Sequence, residues 1–376
     1  MNIDIRVVET RNDLKTFVKV PHQILRGNPY WVPLMMRDEL MTFDPARNPA
    51  YEHAETRLFL AYRDGRPVGR LAGIFSRAAN EKYQTKNLRF GWFDVIEDWE
   101  AARALFQAAE NLAREKGLTT ISGPQGFCDM DLEGLLIEGF DTVAPITVRY
   151  SPPYYREFVE KYGFRREADY VELKIMRPSK EFLAPFKQMA DWVSKRSNFK
   201  VIKFKSNREL LRRGKEVFRL YNESYDHLYG TVPLTERQID YYVKMYAPVI
   251  DRRFLRLVED EQGELAGFAI TVPSLSRAFQ KARGRLFPFG WWHILRAMRQ
   301  REIIDFHLIG VARKYQGTGL YLILGVELVE SLIDLGFKYA ETSHILETNE
   351  EMLSLFKTAD YTIPRRRSIF KKEVSC

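Results

Sequence analysis

The stretch from Ile303 to Tyr321 constrains the fold of this chain more than any other. Its first half, Ile303 to Val311, is short, apolar and rich in β-branched residues, which predicts a buried strand. A polar turn with two glycines follows, and then leucines recur at helical spacing from Leu320 to Leu335. A glycine-rich turn between a strand and a helix directs several backbone N–H groups at one point. The sequence therefore predicts an anion site there.

Two common phosphate motifs do not describe this turn. It contains no Gly-Lys-Ser/Thr of a Walker loop and no Gly-x-Gly-x-x-Gly of a Rossmann unit. It resembles the acyl-CoA pyrophosphate arm of the GNAT N-acyltransferases, whose signature Gln/Arg-x-x-Gly-x-Gly/Ala starts five residues after a hydrophobic strand. Gln316 stands five residues after Val311 and is followed by Gly319, while Tyr321 replaces the last glycine of the signature.

Length and composition restrict the class of protein. With 376 residues the chain predicts two domains, and 45% hydrophobic and 29% charged residues are typical of a globular protein. The net charge of +8 fits an anionic ligand, an acidic membrane surface or nucleic acid, and no nucleic-acid motif is present. Two cysteines indicate no disulfide framework. The N-terminus has no signal-peptide pattern and no apolar run is long enough for a membrane span, so we expect a cytoplasmic bacterial protein.

The order of predicted elements repeats in the two halves. Each half runs strand, helix, hairpin, strand and helix, which resembles the GNAT layout. The resemblance implies an α/β (α+β) fold of two tandem GNAT-like domains, each a mixed, mostly antiparallel twisted sheet flanked by helices. We place the first domain at residues 1–178 and the second at 179–376. The first has Ile96-Glu-Asp-Trp99 where the pyrophosphate arm stands in GNATs, and its carboxylates repel a diphosphate. It is therefore predicted to be a degenerate copy without cofactor.

The resemblance also implies which residues of the second domain bind acyl-CoA, as acetyl-CoA or a longer thioester. The main chain near the end of the strand would pair with the pantetheine arm, the turn amides would take the diphosphate, and Asn349 matches a position that often contacts the cofactor. As Thr348-Asn349-Glu-Glu it also has the pattern of a helix N-cap. The predicted cofactor-binding residues are Ile309, Gly310, Val311, Gln316, Gly317, Thr318, Gly319, Leu320 and Asn349.

Amide formation from a thioester needs a proton acceptor for the amine. Asp305 lies six residues before Val311, where histone-acetylating GNATs place a general-base glutamate. Period-two alternation predicts Asp305, His307 and Ile309 on one strand face, so His307 is a second candidate. Glu341 on the next strand is a third. The alternative interpretations are a strand-capping Asp305, a satisfied interior His307 and a salt-bridged Glu341.

The usual GNAT acid, a tyrosine in the last helix, is replaced by Phe356. Tyr321 and Tyr361 are candidates to replace it, and packing is the alternative role for both. Thiolate departure also proceeds without a protein acid. No metal site is predicted, because the histidines lack ligand spacing and the EF-hand-like start at Asp129 has Phe140 at its last ligand position.

An insertion at Ser274 to Arg301 carries seven arginines and lysines, no acidic residue, and the run Leu286-Phe-Pro-Phe-Gly-Trp-Trp292. Aromatic and basic residues on an amphipathic helix suit a membrane interface or a long acyl chain, and a helix that covers the cleft is the alternative. We therefore predict peripheral contact of 276–301 with the inner membrane face.

Together these features predict an acyl-CoA-dependent N-acyltransferase that moves an acetyl or longer acyl group to a small-molecule or lipid-like amine. The alternative is a non-catalytic acyl-CoA-binding or scaffold protein. The acceptor amine and the oligomeric state are not encoded in any motif of the sequence.

Overall fold

The structure, a computed structural model, describes residues 3–247 and 250–374. Contacts divide these residues into two compact units. Unit 1 comprises 3–171, 276–294 and 364–374, and unit 2 comprises 172–247, 250–275 and 295–363. The domains 1–178 and 179–376 stay a prediction. Residues 276–294 of the insertion and most of β14, which the sequence places in the second domain, belong to unit 1.

Both units contain strands and helices. In chain order, the strands are β1 (Ile3–Val7), β2 (Ala54–Arg63), β3 (Arg66–Ser76), β4 (Asn87–Val95), β5 (Thr120–Gly123), β6 (Leu135–Glu138), β7 (Arg165–Met176), β8 (Lys200–Val201), β9 (Leu255–Glu259), β10 (Leu265–Pro273), β11 (Ile303–Val311), β12 (Tyr339–Thr342), β13 (Ile345–Leu346) and β14 (Tyr361–Glu373). The helices are α1 (Arg11–Ile24), α2 (Met36–Thr42), α3 (Arg77–Tyr83), α4 (Trp99–Glu115), α5 (Pro153–Lys161), α6 (Lys180–Ser197), α7 (Asn207–Arg212), α8 (Gly214–Tyr225), α9 (Glu236–Tyr246), α10 (Ser276–Ala282), α11 (Gly290–Ala297), α12 (Leu320–Leu335) and α13 (Glu350–Ser354).

The sheet of unit 1 starts with four antiparallel strands in the order β1, β2, β3, β4. Strand β5 then runs parallel to β4, and β14 runs antiparallel to β5. Helix α4 covers this sheet with an apolar face that includes Leu105 and Phe106, both almost fully buried. A parallel pair inside an otherwise antiparallel sheet requires a crossover, and α4 supplies it.

Unit 2 repeats the pattern. Strands β8, β9, β10 and β11 are antiparallel, β12 is parallel to β11, and β7 is antiparallel to β12. Helix α12 is the crossover, and its buried leucines pack with apolar residues of β10, β11 and α6 in one core. The predicted fold class, a mixed, mostly antiparallel sheet flanked by helices, is confirmed.

Local signals in the sequence account for most element boundaries. Asp64 and Gly65 both have positive φ (50° and 71°) in the predicted hairpin turn, and Gly336 ends α12 with φ 84°. The helical segment after β8 is divided at Arg213 into α7 and α8, which ends at Tyr225. The Pro-rich segment between α1 and β2 contains α2.

Candidate functional site

The two parallel strands of unit 2 separate along their length. Strand β11 pairs with β12 only from Ile303 to Phe306, and Ser343 N–H donates to the Phe306 carbonyl at 3.1 Å. On its other side β11 stays paired with β10 as far as Val311. From His307 to Val311 the β12-facing edge of β11 therefore has no partner strand within the described residues. This edge is the opening in which the predicted cofactor residues Ile309, Gly310 and Val311 lie.

A β-bulge starts the separation. Ile270 faces Leu308 and Thr271 faces Phe306, so His307 is the extra residue on β11. The prediction that Asp305, His307 and Ile309 share one face was wrong, because the bulge resets the alternation. Ile304 and Ile309 both pack in the core with α12. They are five residues apart, a spacing that would put them on opposite faces of a regular strand, so the bulge has brought them to the same face. Asp305 therefore lies on the face opposite to Ile309.

A tyrosine that the sequence analysis did not select occupies the open edge. The Tyr225 hydroxyl, at the end of α8, donates to the Ile309 carbonyl at 3.1 Å and accepts from Ile309 N–H at 3.3 Å. Its ring lies against Tyr221, with 4.5 Å between ring centroids. The hydroxyl thus satisfies the main-chain groups that the resemblance assigns to the pantetheine arm. A ligand that pairs with Ile309 must displace it.

The predicted anion turn is open. Gly317 and Thr318 are exposed, and a Cβ built on Gly317 meets no atom within 4 Å. Gly319 is the N-cap of α12, with φ 88° and no side-chain cap. Within the described residues no hydrogen bond uses the N–H groups of Gly317, Gly319 or Leu320, whereas those of Gln316 and Thr318 donate inside the turn at 3.3 Å each. The open amides at a helix N-terminus favour an anion.

The two cations of the turn are held by carboxylates. Lys314 Nζ and the Tyr315 hydroxyl both donate to Asp260 Oδ2, at 2.9 and 2.7 Å, and the Arg313 side chain lies 3.5 Å from Asp226. Burial alone raises the pKa of Asp260, but the bonds from Tyr315 and Lys314 bring it down to about 2. These contacts fix the shape of the turn, so main-chain amides are the groups left for an anion.

His307 is an uncharged imidazole at the point where the strands part. Burial lowers its pKa from 6.5 to about 4, and its Nε2 atom is buried without a hydrogen-bond partner among the described residues. An uncharged imidazole accepts a hydrogen bond at neutral pH, and its lowered pKa makes it a weaker base than an ordinary histidine. Among the candidate proton acceptors, His307 is placed at the opening itself.

The carboxylate candidates lie deeper in the sheet. Asp305 stands in register with Glu341 on β12, and Glu341 stands in register with Lys174 on β7. Asp305 is 1% exposed, which limits access of an amine to its carboxylate. Register places the three side chains in a row on one face of the sheet. This arrangement indicates that Asp305 and Glu341 have a structural role and not a catalytic role at the opening.

The remaining candidates lie around the first turn of α12 and the last helix. Tyr321 packs against the core, and burial together with the Glu351 carboxylate raises its pKa to about 12. Asn349 caps α13 by accepting from Met352 N–H at 3.1 Å, so its predicted capping role is confirmed. Phe356 packs edge-on against Phe306. Tyr361 is exposed on β14.

The corresponding region of unit 1 is filled. Strand β4 pairs with β5 only from Asn87 to Arg89, but Gln125 N–H then donates to the Phe90 carbonyl at 2.7 Å. Further along β4, the hydroxyls of Tyr155 and Tyr154 bond the N–H and the carbonyl of Val95, each at 2.9 Å. Protein groups thus occupy the strand edge of this unit.

The helix N-terminus of unit 1 is occupied as well. The Asp98 carboxylate accepts from the N–H groups of Glu100 and Ala101 at 3.0 and 3.3 Å. A carboxylate in this position takes the place of a bound anion and repels a second one. This contact fits the idea that unit 1 binds no cofactor, which stays a prediction.

We expect the two buried histidines to make the protein acid-sensitive. Burial, with the charge of Arg70, also lowers the pKa of His22 in unit 1 to about 4. Because the folded state binds these protons less well than the unfolded state, stability is full above pH 6.5 and falls between pH 6.5 and 4. Each histidine accounts for at most about 3 kcal/mol. Thermal unfolding of the wild type and of His307→Gln should show a smaller acid shift in the variant; an equal shift contradicts the assignment.

No group of three or more His, Cys, Asp and Glu residues within 3–247 and 250–374 is placed to hold a metal ion. Among the same residues no helix is long and apolar enough to cross a membrane. Cys128 is buried and is not part of a disulfide, and Cys376 lies outside the described residues.

Comparisons with known proteins agree with this geometry. A tandem GNAT protein from the clavulanic acid biosynthesis pathway superposes with a TM-score of 0.57, at 13% identity, over 100% of this chain and 99% of its own. The chain has the tandem GNAT fold. No family model matches the sequence. In sequence it is similar to protein YghO of Escherichia coli, at 27% identity over 98% of this chain and 95% of that protein. The bacterial ceramide synthase of Caulobacter vibrioides is also 27% identical, over 99% of this chain and 98% of that protein.

Within this GNAT fold, sequence reasoning missed Tyr225 and the pair Ser343 and His344. The Ser343 hydroxyl and His344 Nδ1 lie 3.2 Å apart, directly after the last ladder bond of β12. The sequence did contain a signal for Ser343 and His344. They follow the strand that carries Glu341, and the neighbouring parallel strand carries His307. Tyr225 had no such signal, because α8 reaches Ile309 from 84 residues away.

Proposed function

We propose that unit 2 is an acyl-CoA-dependent N-acyltransferase that moves a long acyl chain to the amine of a long-chain amino alcohol. The observation that carries this proposal is the open set of amides at Gly317, Gly319 and Leu320, beside the unpaired edge of β11. An oriented set of N–H groups next to a strand edge holds a diphosphate and an extended amide-bearing arm together. That combination matches coenzyme A.

The chain length and the acceptor come from the relative in Caulobacter vibrioides, whose name is bacterial ceramide synthase. A ceramide is the amide of a fatty acid with a long-chain amino alcohol. Because that relative aligns with almost the whole of this chain, we assign the same class of acyl donor and amine to unit 2. Acetyl transfer, the other chain length that the GNAT resemblance allows, is the competing case.

His307 is the proposed proton acceptor. The amine attacks the thioester carbonyl, the C–N bond forms, and the nitrogen becomes far more acidic in the tetrahedral intermediate. The uncharged imidazole takes that proton, after which the C–S bond breaks and coenzyme A leaves as its thiolate. The lowered pKa keeps the imidazole deprotonated at neutral pH, and it also makes His307 a weak base that depends on the high acidity of the nitrogen in the intermediate. Burial raises the pKa of Tyr321 to about 12, so its hydroxyl stays protonated and is the proposed hydrogen-bond donor to the departing thiolate.

Tyr225 is the proposed occupant of the arm site in the empty protein. When the pantetheine arm arrives, its amides replace the Tyr225 hydroxyl on Ile309. Unit 1 is proposed to carry no cofactor, because Gln125, Tyr154 and Tyr155 fill its strand edge and Asp98 caps its helix.

We expect thiol release from acyl-CoA only when a suitable amine is present. Acetyl-, octanoyl- and palmitoyl-CoA are each offered with a long-chain amino alcohol, a short amino alcohol and free lysine, and the thiol is followed with a chromogenic disulfide. The proposal predicts that palmitoyl-CoA with the long-chain amine reacts fastest. Fastest release from acetyl-CoA refutes the assigned chain length. Binding of palmitoyl-CoA without release for any amine favours the non-catalytic alternative.

A further inference from the structure

Unit 1 contains a cleft that takes no part in the proposed chemistry. It has a volume of about 1160 Å³ and lies between the end of α1 with its following loop, and the segment that runs from α10 to the start of α11. All of its lining residues belong to unit 1. A cleft of this size accommodates a phospholipid headgroup with part of its glycerol backbone.

The lining is basic and carries no carboxylate. Its cations are Arg26, Arg277, Lys281, Arg283 and Arg285. All are exposed, and within the described residues none lies within ion-pair distance of a carboxylate. Some cations elsewhere in the chain are neutralised locally, as Lys314 is by Asp260. The unneutralised charge in the cleft attracts an anionic group.

The rim of the cleft is aromatic and points into solvent. Phe287 and Phe289 are 77% and 70% exposed, and Trp291 and Trp292 are 45% and 46% exposed. Four large aromatic side chains within six residues form a patch that water solvates poorly. Aromatic rings beside cations match the boundary between lipid headgroups and acyl chains, where the rings enter the apolar layer and the cations stay with phosphates.

The cleft is held in shape before any ligand binds. Gln280 Nε2 donates to the carbonyls of Pro29 and Trp31 at 2.8 and 3.1 Å, and Met36 N–H donates to the Gly284 carbonyl at 3.0 Å. A Cβ built on Gly284 falls 2.3 Å from the His22 ring, so the two walls touch there. A preformed site loses little conformational entropy on binding.

We propose that this cleft binds the phosphate headgroup of an anionic phospholipid, with the aromatic tip at 287–292 inserted in the membrane interface. Four exposed rings clustered at 287–292 favour a bilayer over an acidic protein or a nucleic acid, because bases stack on rings that are interleaved with cations and these rings are not. The proposal goes beyond the transfer reaction: membrane binding does not require that unit 2 be active.

The test is co-sedimentation of the full chain with vesicles of phosphatidylcholine, with and without phosphatidylglycerol. We expect binding only when phosphatidylglycerol is present. The cleft variant is Arg26→Ala/Lys281→Ala/Arg285→Ala. Each cation near an anionic bilayer changes affinity by roughly 5-fold, so the triple variant should bind roughly 100-fold more weakly.

The matched control removes the same charge elsewhere in unit 1. The variant Arg11→Ala/Lys15→Ala/Lys19→Ala changes three exposed cations of α1 that do not line the cleft. It should keep almost all of the binding. An equal loss in both triple variants refutes a specific cleft and leaves only attraction by net charge.

A second variant tests the aromatic tip. Phe287→Ser/Phe289→Ser should lower vesicle binding at least 10-fold while leaving all cations in place. If the tip variant binds vesicles like the wild type and excess glycerol phosphate prevents sedimentation, the cleft is a site for a soluble phosphate and the proposal fails. Binding to an acidic carrier protein but not to vesicles also overturns it. Thiol release with a soluble amine, measured without vesicles, reports separately on unit 2.

Discussion

The variant Gly317→Glu is expected to lose acyl-CoA binding almost completely. Gly317 is exposed in the anion turn, and the new carboxylate would stand beside the amides proposed to hold the diphosphate. Two like charges about 5 Å apart repel by about 3 kcal/mol at an effective dielectric constant of about 20. The affinity for palmitoyl-CoA should therefore fall at least roughly 100-fold in calorimetry.

Two controls separate charge from backbone strain. Gly336→Glu places the same residue at the other end of α12, where φ is 84° against 74° at Gly317 and the built Cβ also meets no atom within 4 Å. It carries similar strain but no charge near the turn, and should bind normally. Gly317→Gln keeps the shape without the charge and should retain most of the affinity. Equal loss in Gly317→Glu and Gly336→Glu contradicts the assigned anion site.

The variant His307→Gln is expected to lower kcat roughly 100-fold or more while leaving KM for acyl-CoA unchanged. A positioned proton acceptor contributes a factor of this size, and the imidazole does not touch the turn that binds the diphosphate. Glutamine retains a polar side chain of similar size at the bulge, so the strand should remain folded. Steady-state kinetics with palmitoyl-CoA and the preferred amine measure both constants.

Two further variants distinguish catalysis from packing at this position. In His307→Ala, added imidazole should restore part of the activity, since it replaces the missing acceptor in the same space. Asp305→Asn removes the buried carboxylate that faces Glu341 in register, and should affect stability more than kcat. If Asp305→Asn loses 100-fold in kcat while His307→Gln stays active, then Asp305 and not His307 is the proton acceptor.

Local chemistry made the anion turn predictable. Gly319 and Gly336 mark the two ends of α12. A buried strand, a polar turn and an apolar helix also differ in their residue patterns, so the three elements can be told apart in the sequence. The tandem layout followed from the repeated order of these signals. Such features depend on residues close in sequence, which is why the turn from Arg313 to Leu320 appeared where it was predicted.

The features that the sequence analysis missed depend on residues that are far apart in sequence or on an irregularity in a strand. A bulge adds one residue, His307, to β11. Because a strand buried on both faces has no alternation of apolar and polar residues, the sequence pattern does not reveal the extra residue. Tyr225 and Ile309 meet only through the packing of α8 on β11. The assignment of 276–294 to unit 1 likewise depends on long-range contacts with the loop after α1.

Detection of the amide product tests the central claim most directly. Wild-type protein, palmitoyl-CoA and a long-chain amino alcohol are mixed in a single turnover, and the lipid fraction is analysed by mass spectrometry. The account predicts one N-palmitoyl product formed in step with free coenzyme A, and none from Gly317→Glu at the same thioester concentration. Free palmitate in place of the amide, or an equal yield of amide from Gly317→Glu, contradicts it.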